Sequence, residues 1–114
     1  GLAGIQADPA APGFKNTIIK PAIVGDVTWV KSHHDSPYGR IVSNWKRAGE
    51  KLTMEVTVPP NSTATVFVPA KDAASVTESG KPAGEAEGVK FLRFEHNAAV
   101  YAVGSGNYQF QSQL

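Results

Sequence analysis

The run HHDSPY holds the densest group of side chains that could take part in chemistry. His33 and His34 precede the carboxylate of Asp35 and the hydroxyl of Ser36, and Trp45 follows nine residues later. Imidazoles and carboxylates bind metals and carry protons, and an indole offers a flat apolar surface to a sugar or a base. These residue types leave three alternatives: an active site, a binding site, or structural parts of a β-sheet.

The spacing of these residues argues against a metal site and against a nucleophilic triad. Neighbours on a strand point to opposite faces, so His33 and His34 can share an ion only if they lie in a turn. The third histidine, His96, is distant in sequence. A Ser–His–Asp set can be written from these residues, but the chain has no GxSxG elbow to position the serine. We predict no metal ligands and no triad here.

Other catalytic patterns are also missing from the sequence. Glycoside hydrolysis requires two carboxylates that flank the scissile bond, one of them with a raised pKa. Glu55 is predicted to face outward, while Glu78, Glu85 and Glu87 fall in or beside a polar loop. No phosphate-binding GxxxxGKS or GxGxxG motif occurs. The sequence therefore predicts no catalytic residues and no cofactor.

Length and composition limit the remaining classes. A chain of 114 residues, 41% apolar and 18% charged, is expected to form one domain with a modest core. A net charge of +1 gives no basic field for nucleic acid. There is no cysteine, and no apolar run approaches the ~20 residues of a membrane helix. Nucleic-acid and membrane partners are therefore not expected, and the compartment, cytoplasmic or periplasmic or extracellular, stays open.

Hydrophobic alternation with a period of two predicts an all-β fold. In KLTMEVTV the residues Leu52, Met54, Val56 and Val58 fall on one face, as in a half-buried antiparallel strand. Turn signals separate this strand from the others, and residues 79–88 form one long polar loop. About eight strands at this spacing indicate an antiparallel β-sandwich or a barrel. The other predicted strands are 15–20, 26–31, 40–47, 63–68, 89–95, 98–103 and 107–111.

The tryptophans can be read in two ways. Ser36-Pro37-Tyr38-Gly39 has type I turn preferences, and the strand after it places Trp45 on the face of Ile41. Trp45, and likewise Trp29 on the face of Val27, is expected to fill the core; the alternative is a surface platform for a sugar. Phe14 is also expected to be buried. The predicted core comprises Trp45, Leu52, Met54, Val56, Val66 and Phe91 or Leu92.

Four segments together carry a family resemblance: AGIQADPAAPGFKNTIIKP, HDSPYGRIVSNWK, VTVPPNSTATVFVP and SGNYQF. In this order, over roughly residues 3 to 111, they resemble the C-terminal domain of bacterial α-L-rhamnosidases. These enzymes are glycoside hydrolases with an (α/α)6-barrel catalytic domain. The resemblance implies a β-sandwich of jelly-roll type, in agreement with the predicted strands.

The resemblance implies an accessory role without catalytic residues, since the family's general acid and base are glutamates of the barrel. Residues 1–13 would then be a remnant of the last barrel helix and a linker, and 14–114 the sandwich. The expected partners are the barrel of the same polypeptide, contacted by Leu2 and Ile5, and a rhamnose-containing glycan as substrate of the whole enzyme. His34 and Tyr38 are candidates for the rim of its sugar pocket.

Two alternatives remain open at this point. The chain could be a stand-alone carbohydrate-binding β-sandwich, which would call for two or three exposed aromatics in a row. It could also be an unrelated adhesion or surface sandwich. The absence of an initiator methionine and of a signal-peptide pattern in GLAGIQADPAAPGF favours the interpretation that the chain is a piece of a longer polypeptide.

Overall fold

The computed structural model describes residues 4–10 and 15–114, which form two β-sheets packed face to face. The all-β sandwich predicted from the alternation is therefore confirmed. In the described residues there are eleven strands. They are β1 (Ile5–Ala7), β2 (Asn16–Ile19), β3 (Trp29–Ser36), β4 (Gly39–Ala48), β5 (Lys51–Val58), β6 (Thr63–Pro69), β7 (Thr77–Glu78), β8 (Lys81–Pro82), β9 (Val89–Glu95), β10 (Ala98–Val103) and β11 (Gly106–Gln113).

One sheet has five strands in the order β1-β2-β6-β10-β9, and the other has six in the order β3-β4-β5-β11-β7-β8. Neighbouring strands run antiparallel, except that β2 and β6 are parallel. The two ends of the five-stranded sheet are thus β1 and β9, and β3 forms one edge of the other sheet. These edges matter below because edge strands leave backbone groups available for a partner.

The core lies between the two sheets and follows the predicted alternation. In β5 every second side chain from Leu52 to Val58 is buried, and Glu55 faces outward. Trp45 is 2% exposed and packs in the same cluster. The predicted core positions Trp45, Leu52, Met54, Val56 and Val66 are all confirmed.

The prediction of about eight strands missed three short ones. Strands β7 and β8 have two residues each and lie at or within the segment predicted as a polar loop, while β1 has three. Two or three residues are too few for an alternating pattern to appear. The eight predicted strands all have counterparts, although β3 begins at Trp29 rather than at residue 26 and extends through the histidine pair.

The N-terminal segment also differs from the expectation. The resemblance implies that Ile5 belongs to the remnant of the last barrel helix, but Ile5 lies in β1, which pairs with β2 in the register Ile5 to Ile19. The backbone N–H of Lys20 donates to the carbonyl of Gly4 (3.0 Å) and extends this pairing. Leu2 and Phe14 lie outside the described residues. The division into 1–13 and 14–114 stays a prediction.

The core predictions for Trp29 and for Phe91 or Leu92 are wrong, and both concern edge strands. Trp29 is 63% exposed, because the register of β3 places it on the outer face beside Lys46. Phe91 and Leu92 are 43% and 39% exposed, because β9 is an edge strand with a register shift opposite Val100 and Tyr101. A shift of one residue moves a side chain to the other face, and the sequence alone does not reveal it.

Tyr101 supplies a pH-dependent contribution to stability. Its ring is buried between Phe110, stacked at 5.6 Å between centroids, and Phe91, edge-on at 5.7 Å. Burial raises the pKa of the Tyr101 phenol from its ordinary 10 to about 12. The folded protein therefore holds this proton more tightly than the unfolded chain does.

Below pH 10 the Tyr101 phenol is protonated in both the folded and the unfolded state, so its ionisation should add no pH dependence to the free energy of unfolding. As the pH rises from about 10 to about 12 the unfolded chain loses this proton first, and we expect the free energy of unfolding to fall. Burial also raises the pKa of Tyr108, so Tyr101→Phe should weaken this alkaline loss without abolishing it. The measurement is urea unfolding of both proteins across this pH range. An identical loss in the Tyr101→Phe variant would contradict the assignment.

Candidate functional site

The HHDSPY run forms the end of the β3–β4 hairpin. His33 and His34 both lie in β3, opposite Val42 and Ile41 respectively, so adjacent imidazoles belong to opposite faces of the strand. Asp35 accepts a hydrogen bond from Nε of Arg40 on the facing strand (2.8 Å), which lowers the pKa of its carboxyl group. Within residues 4–10 and 15–114 no three metal-ligating side chains lie together.

The hydroxyl of Ser36 is used by the turn. It donates to the carbonyl of Gly39 (2.8 Å) and accepts from the backbone N–H of Tyr38 (3.2 Å), so it closes the hairpin around Pro37. Gly39 has a φ of 133°, and a Cβ there would lie 2.8 Å from Cβ of Pro59. These contacts assign the Ser36 hydroxyl to the turn, as expected if the HHDSPY run is a structural part of the β-sheet.

Several carboxylates are likewise engaged in local structure. The carboxylate of Asp8 accepts hydrogen bonds from the backbone N–H of Ala10 and from the side-chain amide of Asn16, which lower the pKa of Asp8. The carboxylate of Glu95 accepts a hydrogen bond from Nε of Arg93, which lowers the pKa of Glu95. A general acid at neutral pH needs the opposite, a raised pKa. The direction of these shifts makes Asp8, Asp35 and Glu95 poor candidates for the acid of a glycosidase.

Glu78 differs from its predicted place in a polar loop, because it is 8% exposed and tied into the six-stranded sheet. Its Oε2 accepts from the backbone N–H of Gln109 (3.0 Å) and from the hydroxyl of Ser79 (2.6 Å). The carboxylate thereby fastens the short strand β7 to β11. Its negative charge adds to the effect of burial in raising the pKa of Tyr108.

A first candidate surface lies on the outer face of the six-stranded sheet. We call it the Trp29 groove; it is a depression of about 560 Å³ beside the exposed indole. Sequence reasoning missed it because Trp29 was assigned to the core. The sequence did contain one signal: Lys31, a polar residue, lies two positions after Trp29 and therefore on the same face of the strand, which indicates a face exposed to solvent. The residues that line the groove are Thr28, Trp29, Lys31, Asn44, Trp45, Lys46, Arg47, Thr53, Glu55 and Gln109.

A second candidate surface is apolar and lies at the edge of the five-stranded sheet. We call it the β9 edge; it consists of Phe91, Leu92 and Phe94, each about two-fifths exposed. Beside it, Phe67 is half-buried, with Nζ of Lys20 5.0 Å from its ring centroid. Large apolar side chains gathered on an edge strand are a typical contact surface for another domain or protein.

The architecture is that of an all-β sandwich domain, and comparison with known proteins places it in a family. The model of the bacterial α-L-rhamnosidase C-terminal domain matches residues 4–83. An α-L-rhamnosidase of Formosa agariphila is 28% identical over 99% of this chain and 12% of its own length. That of Streptomyces avermitilis is 31% identical over 96% of this chain and 10% of its own length.

A solved structure agrees with these sequences. The crystal structure of the Streptomyces avermitilis α-L-rhamnosidase complexed with L-rhamnose superposes with a TM-score of 0.83, at 29% identity, over 96% of this chain and 10% of that one. The chain belongs to the bacterial α-L-rhamnosidase C-terminal domain family. It spans about a tenth of the length of the relatives named here. The predicted family and its C-terminal domain are confirmed, and a stand-alone carbohydrate-binding module is not favoured.

The remaining site residues predicted from the sequence are not brought together. His34 lies in β3 and Tyr38 in the turn, 38% exposed, and their place at the rim of a sugar pocket stays a prediction. Ile5 is half-buried and packs against the core of the sandwich itself. Its inter-domain role with Leu2 stays a prediction, as does the jelly-roll connection of the strands. In the described part of the chain, no helix has the length and apolar character needed to cross a membrane.

Proposed function

We propose that this chain is the non-catalytic C-terminal accessory domain of an α-L-rhamnosidase and that it packs on the catalytic domain and stabilises it. The observation that carries the proposal is the family match, together with the small share of each relative that it covers: the relatives are about ten times longer than this chain. Under this proposal the whole enzyme hydrolyses terminal α-L-rhamnose from glycosides. The (α/α)6-barrel supplies the two carboxylates that this reaction requires.

The β9 edge is the surface we assign to the contact with the catalytic domain. Phe91, Leu92 and Phe94 keep about two-fifths of their surface exposed, and covering the remainder of three such side chains would stabilise the contact by roughly 2–4 kcal/mol. A shallow groove of about 260 Å³ elsewhere on the same sheet, lined in part by Phe67, Pro69 and Glu95 at the end of β9, offers space for a side chain of the partner.

The N-terminal segment and the β3–β4 turn have secondary places in this proposal. Residues 1–13 connect the catalytic domain to the sandwich, and Leu2 and Ile5 form a second contact with it at the β1 end of the five-stranded sheet, opposite the β9 edge. The turn that carries Tyr38, together with His34, lies at the rim of the neighbouring sugar pocket. Both assignments rest on the family resemblance, and that of the turn rests also on the exposure of His34 and Tyr38.

The activity of the isolated chain tests the proposal. We expect the 114-residue chain to show no hydrolysis of an aryl α-L-rhamnoside above background, because neither carboxylate of the pair is assigned to it. The longer polypeptide of the same gene should hydrolyse this compound. The measurement is release of the aryl group by both proteins at equal concentration.

Two outcomes would overturn the proposal. One is turnover by the isolated chain that survives re-purification and is lost on Glu78→Gln or Glu55→Gln. The other is a longer polypeptide that folds but leaves aryl α-L-rhamnosides intact.

Removal of the C-terminal domain from an active enzyme should lower its melting temperature, and an unchanged melting temperature would contradict the stabilising role.

A further inference from the structure

The two tryptophans of this chain lie near each other on the six-stranded sheet but in opposite environments. Trp45 is 2% exposed in the core, whereas Trp29 is 63% exposed on the outer face. Leaving an indole in water forgoes the stabilisation that burial of its apolar surface would give. An exposed aromatic beside a depression is therefore a candidate for ligand contact.

The strand register places polar side chains in rows across the sheet beside this indole. Trp29 lies opposite Lys46, and the next row runs from Lys31 to Asn44, then to Glu55 and Gln109. Opposite residues in neighbouring strands have Cβ atoms about 5 Å apart. The Trp29 groove thus has an aromatic wall at one end and a ladder of hydrogen-bonding groups along its floor.

The floor offers both donors and acceptors, and one of these side chains, Asn44, is held in place by a hydrogen bond. Oδ1 of Asn44 accepts from the backbone N–H of Ser32 (3.1 Å), which holds the amide in one orientation with its nitrogen as the donor. Lys31 and Lys46 can donate only, and Glu55, when ionised, can accept only. A ligand with several closely spaced hydroxyl groups can satisfy both kinds of partner at once.

We propose that the Trp29 groove is a saccharide-binding site in which one pyranose ring of a glycan stacks on Trp29. The apolar C–H face of a pyranose lies flat on the indole, and its hydroxyl groups bond to the ladder formed by Lys31, Asn44, Glu55 and Gln109. A stacked nucleobase fits less well, because the chain carries a net charge of only +1 and offers no tract for a phosphate backbone.

The number of aromatics sets the strength of this site. Tyr38 lies in the turn after β3, and the seven steps of that strand from Trp29 to Ser36 alone span about 23 Å. One stacking ring corresponds to one sugar subsite, so a dissociation constant on the order of 1 mM is expected. The two lysines also admit a uronate carboxylate, so neutral and acidic saccharides are separate arms of the test.

The test is a titration of the 114-residue chain with L-rhamnose, a neutral cello-oligosaccharide and an oligogalacturonide, followed by tryptophan fluorescence and by NMR. We expect saturable, millimolar binding of at least one oligosaccharide, with shifts confined to the groove. Trp29→Ala should weaken it about tenfold or more, while Trp29→Phe should retain part of it. Leu92→Ser, in the other sheet, is the control and should bind as the parent does.

The lysines distinguish the two arms. Replacement of Lys31 and Lys46 by methionine should weaken oligogalacturonide binding more than cello-oligosaccharide binding if the ligand is acidic. Equal weakening assigns the site to neutral glycans.

Three results would overturn the proposal: no saturable binding of any probe, binding unchanged in Trp29→Ala, or Trp29 shielded from a fluorescence quencher in the longer polypeptide. The last result would make the groove an inter-domain contact. It would leave the proposed accessory function intact, since that function is assigned to the β9 edge.

Discussion

Replacement of Trp45 by alanine should lower the free energy of unfolding by about 3–5 kcal/mol, the range for removal of a buried aromatic side chain. Trp45 is 2% exposed and belongs to the cluster that joins both sheets. It lies opposite Met54 of β5, so its removal leaves a cavity in the middle of the six-stranded sheet. The measurement is urea or guanidinium unfolding at neutral pH.

The second tryptophan supplies a matched control. Trp29→Ala removes the same side chain from the outer face, where it is 63% exposed, and should change stability by no more than about 0.5 kcal/mol. Equal losses in the two variants would contradict the described positions of the indoles. A large loss in Trp29→Ala alone would show that the register of β3 is shifted by one residue.

The interior of the sandwich could be predicted from the sequence because central strands carry a complete alternating pattern. In β5 one face is apolar and the other polar over eight residues, so Leu52, Met54 and Val56 could be assigned to the core from their spacing alone. Trp45 follows from Ile41 by the same rule. Central strands have neighbours on both sides, which leaves little freedom in their register.

Edge strands were the part that the sequence could not settle. The segment VKFLRFE of β9 is as apolar as a core strand, yet it has a neighbour on one side only and a register shift against β10. For Trp29 the alternation with Val27 predicted burial; Val27 and Val30 both pack on the core, but Trp29 is exposed. In both cases the deciding fact is the pairing of strands distant in sequence, which local patterns do not contain.

The candidate surfaces follow the same division. The family was predictable because four segments resemble it and occur in the right order. The Trp29 groove was not predictable, because Lys31, Asn44, Glu55 and Gln109 come from four strands and meet only through the register. Its one local signal was a tryptophan two residues before a lysine.

The largest effect expected outside the isolated chain concerns the β9 edge. In the longer polypeptide, Leu92→Asp should disrupt the contact with the catalytic domain, because it introduces a charge into a surface that becomes desolvated. We expect a lower melting temperature of the catalytic domain. Ser105→Asp, which adds the same charge in the exposed β10–β11 loop, is the matched control and should have little effect.

Hydrogen exchange at the β9 edge tests the central claim most directly. The backbone amides of residues 91–94 should exchange at least tenfold more slowly in the longer polypeptide than in the 114-residue chain, because the catalytic domain covers them. Those of β5, at the centre of the other sheet, should be equally protected in both, and Leu92→Asp should restore fast exchange at the edge. Equal exchange of residues 91–94 in both proteins would show that this edge stays open, and would contradict the accessory domain packing proposed here.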